Sequence, residues 1–134
     1  MYKNQGSEIK YDDLLKMRYE DFCSELGDDG CYGLGIEINR RLRKILPDYR
    51  LLALGVANQD KIEQFRTGFE KTSSPEPGDM VLIRKMDMDG YHIGVVIEAG
   101  YFLQATQDHG ISRIRMNHPF VENRIEGIYR YVGF

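Results

Sequence analysis

The chain has 134 residues, of which 42% are hydrophobic and 29% charged, and its formal net charge is -3 at pH 7. That length can close one core without disulfide or metal staples, and the balance excludes a disordered or fibrous chain, so a single domain over 1-134 is expected. The scattered bases on a net negative chain argue against nucleic acid as a partner, and no run of 18 apolar residues is present to cross a membrane.

The opening "MYKNQGSEIKYDD" is polar throughout, without the apolar h-region of a secretory signal, so the protein is expected to be cytoplasmic when made. Residues 8-22 hold Ile9, Leu14, Leu15, Met17 and Phe22 among charges, which predicts an uncapped helix. A clearer helix is predicted over 31-46. There Leu34, Ile38, Leu42 and Ile45 recur at helical spacing, with Cys31 in or just before the first turn and Pro47 as the stop. Ile62, Phe65 and Phe69 predict a third helix over about 59-70, with Asn58 as its cap. "TSSPEPGD" (72-79) then breaks the helical period.

Five short stretches rich in β-branched and aromatic residues follow, at 80-85, 91-98, 101-107, 111-116 and 124-132. They are separated by turn signals such as Asp89-Gly90, which predicts a hairpin. Helices first and a meander of about five antiparallel strands after them define an α+β fold, with the helices packed on one side of the sheet.

Cys23 and Cys31 fit neither a disulfide framework nor a CxxC metal site, and both are expected to be reduced. A cysteine is most often a small buried core residue. At a helix start, however, backbone N-H groups and the helix dipole favour the thiolate, the form that acts as a nucleophile. Gly30 and Gly33 around Cys31 would leave room for a substrate carbonyl and let backbone donors approach an oxyanion.

A nucleophilic cysteine needs a base. His109 in the "QDHG" turn and His118 before Pro119 read as exposed turn residues, whereas His92 lies within an apolar strand. Gln104 on the next strand would come within a register step or two of His92 and could accept its second ring N-H. A thiolate paired with imidazolium would make Cys31 react with iodoacetamide well below pH 8, while Cys23, with no recognisable base, would stay slow.

"GCYGLGIEINRRL", "PEPGDMVLIRK", "YHIGVVIEAGYFLQAT" and the closing "IEGIYRYVGF" together resemble the NlpC-type cell-wall peptidases, in particular the shorter members found among phage tail proteins. The resemblance covers residues 28-106 and the tail of the chain, and four blocks in one order are more specific than any one of them. It implies a papain-like α+β domain that hydrolyses peptidoglycan stem peptides as a cysteine endopeptidase or amidase. Cys31 would be the nucleophile, His92 the base and Gln104 the third polar residue. Gly30, Tyr32, Gly33 and Tyr91 are the expected substrate contacts. No metal or organic cofactor is needed, and other phage tail proteins are further expected partners, with action at the bacterial cell wall from a virion tail.

The chain also departs from the family pattern. Gly30 stands directly before the cysteine with Asp29 one further back, Tyr32 replaces a serine, and Gln104 stands where such proteins more often carry His or Asn. These departures favour a rival, a tail-assembly component that keeps the fold for interaction only; the presence of both Cys31 and His92 opposes it. An acyltransferase using the same thiol would want an apolar acyl channel or an anchoring segment, and the sequence shows neither. "DMDG" (87-90) resembles a calcium loop, but Val96 stands where the required glutamate belongs, and "RRLRK" (40-44) reads as a solvated helix face.

Overall fold

In a computed structural model of the protein, residues 9-23, 30-47, 68-85 and 91-132 are described. Helix α1 (Gly30–Arg41) forms where Leu34, Ile38 and Leu42 recur every fourth residue, and all three are buried. The spacing predicts a helix as far as Ile45, but α1 stops earlier. Arg43 adopts a left-handed φ of 61°, its N-H bonds the Arg40 carbonyl at 3.0 Å, and the Lys44 N-H bonds the Asn39 carbonyl at 2.8 Å. This pair of bonds is a Schellman closure, built on an arginine where glycine is usual. Ile45 is thereby turned out to 76% exposure, while Leu46 returns to the core.

The helix predicted over 8-22 is instead two single-turn 3-10 helices, Leu14–Lys16 and Tyr19–Phe22, joined through extended backbone at Met17 and Arg18. Five residues along one α-helix rotate the side chain by about 140°, so a straight helix could not bury both Leu14 and Tyr19. The break lets both reach the core. Of the helix predicted over 59-70, most lies outside the described residues. Its last two positions belong to strand β1 (Phe69–Lys71), entered through Gly68 at a φ of 85°.

The strands β2 (Met80–Arg84), β3 (Tyr91–Glu98), β4 (Tyr101–Thr106), β5 (Gly110–Arg115) and β6 (Ile125–Tyr131) fall within about one residue of the sequence reading. With β1 they make one six-stranded sheet in the order β1-β6-β2-β3-β4-β5, every neighbour antiparallel. The hairpin expected at Asp89-Gly90 lies outside the described residues.

Alternation along the strands gives the sheet two apolar faces. Met80, Leu82, Ile93, Val95, Ile97, Leu103 and Ala105 meet Tyr32, Leu34 and Ile38 of α1 in the main core. Val81, Ile83, Val96 and Phe102 form a smaller cluster on the other face, covered by Val121 from the segment after β5. The α+β prediction holds, with α1 packed on β3 and β4.

The Pro-Gly-Asp turn before β2 is explained by a buried clamp. Asp79 is 2% exposed and takes two hydrogen bonds from the Arg130 guanidinium, at 3.0 Å and 2.8 Å. It also accepts the Glu76 N-H at 2.8 Å, closing its own turn. Asn39, buried in α1, donates to the carbonyls of Gly35 and Gly78 and ties the helix to the same turn.

Candidate active site

Cys31 is the second residue of α1, so its N-H belongs to the first turn, where backbone donors have no partner within the helix. The thiol is half-buried, and the backbone N-H groups of Ile93, Tyr32 and Cys31 itself bear on the sulfur. Contact with the Ile93 amide matters most for geometry, because that amide is the peptide link to His92. The sulfur therefore sits against the start of β3.

His92 is paired with Ile83 of β2, and Gly94, two residues on, is paired with Gln104 of β4. His92 and Gln104 are thus diagonal neighbours across two strands, within the register step the sequence implies. Their side chains meet: Nε2 of the imidazole lies 3.1 Å from Oε1 of the amide. An amide oxygen only accepts, so Nε2 carries the proton and Nδ1 keeps its lone pair. Alternation turns Ile93, Val95 and Ile97 toward α1, and therefore His92, Gly94 and Val96 toward the other side.

The electrostatics correct one expectation. Burial pushes the Cys31 thiol above its ordinary range, outweighing the three N-H groups and the Lys85 charge that favour the thiolate. Burial also holds the His92 imidazole down, to about 4; the Gln104 bond works the other way, and the charges of Lys85 and Arg124 add to the lowering. Burial thus favours a thiol at Cys31 and a neutral imidazole at His92 near neutral pH, rather than a thiolate and an imidazolium. Enhanced alkylation of Cys31 well below pH 8 does not follow from this arrangement.

Among the other residues singled out from sequence, Gly30, Gly33 and Tyr32 have packing roles. An added Cβ on Gly30 would strike the Tyr19 carbonyl oxygen, and one on Gly33 the Phe22 carbonyl oxygen. Both glycines therefore allow the Tyr19–Phe22 turn to lie against α1, a reason other than room for a substrate. Tyr32 is fully buried, its hydroxyl donating to the Pro47 carbonyl at 2.8 Å, and offers no surface to a peptide. Tyr91 is half-buried at the start of β3. Cys23 is also half-buried, and its thiol donates to the Tyr19 carbonyl at 3.6 Å.

Sequence reasoning passed over Lys85 and Arg124, the two cations that act on His92. Their only signal was charge at the ends of predicted strands. Among the described residues no group of three or more His, Cys, Asp or Glu side chains could hold a metal ion, and no helix is long and apolar enough to cross a membrane.

A cysteine at the start of a helix that packs on an antiparallel sheet, beside a strand bearing a hydrogen-bonded histidine, is the arrangement of a papain-like α+β domain. The chain matches the model of the NlpC/P60 family over residues 20-130 and belongs to that family. The family is generally one of cysteine peptidases, and cell-wall peptidase or amidase activity on peptidoglycan peptides is the chemistry that membership carries. No curated protein matches the chain.

Proposed function

We propose that the protein hydrolyses an amide bond in peptidoglycan stem peptides, with Cys31 as nucleophile, His92 as base and Gln104 as the group that orients the imidazole. The observation that carries this reading is the hydrogen bond from His92 Nε2 to Gln104 Oε1, which leaves Nδ1 free to take a proton. Mid-strand, a histidine turned away from α1 would be out of reach of a thiol on that helix. The sulfur, however, lies against the Ile93 amide, at the strand end where β3 and β4 cease to pair beyond Gly94 and Gln104.

In this mechanism Nδ1 of His92 takes the thiol proton as the sulfur attacks the peptide carbonyl carbon. The oxyanion that forms is met by the Cys31 N-H at the start of α1. Collapse breaks the C-N bond, the leaving amine takes the proton from His92, and a thioester remains. Water, deprotonated by His92, then releases the acid and restores the thiol. Because both groups start uncharged, proton transfer accompanies attack and no standing ion pair is needed.

The test is digestion of purified muropeptides by wild type and by Cys31→Ala, read by mass spectrometry. Wild type should release fragments that Cys31→Ala does not. Identical patterns across several stem-peptide chemistries would remove the enzyme reading and leave the tail-assembly role. We further propose, on the resemblance of the sequence to the tail-protein branch, that the protein acts at the cell wall from a phage or prophage tail. Peptide mapping of purified particles tests that placement, and absence of the chain from them would overturn it.

A further inference from the structure

Lys85 follows directly on β2, where Ile83 faces His92 and Arg84 faces Tyr91 across the ladder. Alternation puts residues 81, 83 and 85 on the same side of the sheet as His92, so Lys85 is its diagonal neighbour on β2, as Gln104 is on β4. Lys85 is half-buried, and among the described residues it makes no hydrogen bond or ion pair. A half-buried, unpaired ammonium costs free energy that a structural lysine would normally recover from a carboxylate. Its charge reaches both His92 and Cys31.

The surrounding charges do not duplicate it. Arg124 also acts on His92, but its guanidinium is fixed by bonds to the Phe120 carbonyl at 2.8 Å and the Arg84 carbonyl at 2.9 Å. Arg84 points to the other face, with Glu126 of β6 at 3.5 Å. On α1 the charged groups nearest Cys31 in sequence are Glu37, Arg40 and Arg41, more than a turn away and paired with one another. On the Tyr19–Phe22 turn, Glu20 and Asp21 are exposed, and Asp21 is held by Arg18. Strand β4 brings only uncharged Tyr101, Gln104 and Thr106. Asp87 and Asp89 lie outside the described residues.

We propose that Lys85 is a positioning residue of this site, its ammonium at the end of β2, without a partner among the described residues, favouring negative charge on the Cys31 sulfur while keeping His92 unprotonated. Burial opposes the thiolate, and a fixed positive charge beside it offsets part of that cost without donating a hydrogen bond. The same charge keeps the base in its proton-accepting form. The two effects act on one pair in the same direction along the pH axis, which distinguishes an electrostatic role from a packing role.

The inference rests on the Cys31 and His92 reading for its catalytic meaning, but its test needs no substrate. Wild type, Lys85→Met and Lys85→Arg are compared as full chains. Alkylation of Cys31 by iodoacetamide is followed by peptide mapping across pH, and the His92 ring is titrated by NMR. In Lys85→Met both midpoints should move to higher pH, by about half a unit each, and added salt should narrow the gap to wild type. Lys85→Arg should stay near wild type. Unchanged midpoints, shifts of opposite sign, or an arginine variant that behaves like methionine would overturn the proposal. Lys85→Gln repeats the comparison if the methionine variant does not fold. Wild type that cleaves no muropeptide would refute the proposed function and leave these readouts intact.

Discussion

Replacing Gly33 and Gly35 one at a time with alanine separates two kinds of close packing on a single helix. Alanine gains about 1 kcal/mol over glycine in a helix interior, and that gain is the same at both positions. What the new methyl meets is different. At Gly33 it would strike the Phe22 carbonyl oxygen and lie 2.9 Å from the Phe22 carbonyl carbon, both backbone atoms of a turn fixed by its own hydrogen bonds. At Gly35 it would strike Met80 Cε and lie 2.8 Å from its sulfur, the far end of a flexible side chain. Overpacking against atoms that cannot move costs about 3 kcal/mol, against a methionine about 1. Gly33→Ala should therefore lose about 2 kcal/mol net, which lowers Tm by about 7 °C for a chain of this size, and Gly35→Ala should be close to neutral. Thermal unfolding followed by circular dichroism reads both. Equal melting of Gly33→Ala and wild type, or equal losses at the two sites, would refute the argument that the Tyr19–Phe22 turn is what requires glycine.

Three other outcomes follow from groups away from that contact. The folded state holds His92 down to about 4 against an ordinary 6.5, so its contribution is complete above pH 6.5 and is lost as pH falls toward 4. The loss should approach about 3 kcal/mol in urea unfolding at pH 4, and His92→Gln should flatten the slope between those values; an unchanged slope would contradict it. Arg130→Met leaves the Asp79 carboxylate buried and unpaired and should cost about 3 to 5 kcal/mol, with part regained when Asp79→Asn is added; a double variant no better than the single would count against the clamp. Arg43→Gly removes a left-handed arginine and should stabilise the chain by about 1 kcal/mol, seen as a higher urea midpoint, whereas a lower midpoint would mean the side chain is needed.

The strands were legible because each carries its own period and its own turn. "MVLIRK" and "YHIGVVIE" declare themselves as apolar runs, and β2 and β3 begin and end within a residue of those runs. The N-terminal helix was not legible, because Leu14, Tyr19 and Phe22 are apolar at spacings that suit neither one helix nor one strand. Only the close approach of that segment to Gly30 and Gly33 decides its shape. Strand β1 was hidden for a related reason. Phe69 continues the spacing of Ile62 and Phe65, and what makes it a strand is its pairing with Tyr131, 62 residues later, with the two rings 5.4 Å apart. At the candidate site the contact of His92 with Gln104 could be read from sequence, but the charge states of Cys31 and His92 could not. Those depend on burial and on Lys85, which spacing does not reveal.

Gln104 is the member of the site whose chemistry most separates an orienting group from a charged partner. A neutral amide oxygen fixes the imidazole tautomer and steadies the imidazolium, but less than a carboxylate would, and in this protein its bond raises the His92 value only part of the way back from the lowering by burial. Removing it in Gln104→Ala should move the His92 titration still lower. It should also let the ring place its proton on either nitrogen, so that a fraction of molecules present an N-H rather than a lone pair at Nδ1. Turnover of muropeptides should then fall to a measurable remainder, above that of Cys31→Ala, because the thiol and its backbone donors are untouched. Gln104→Glu should move the titration up instead. NMR of the ring nitrogens reads tautomer and titration together, and a ring whose tautomer and midpoint are the same with and without the amide would show that Gln104 orients nothing.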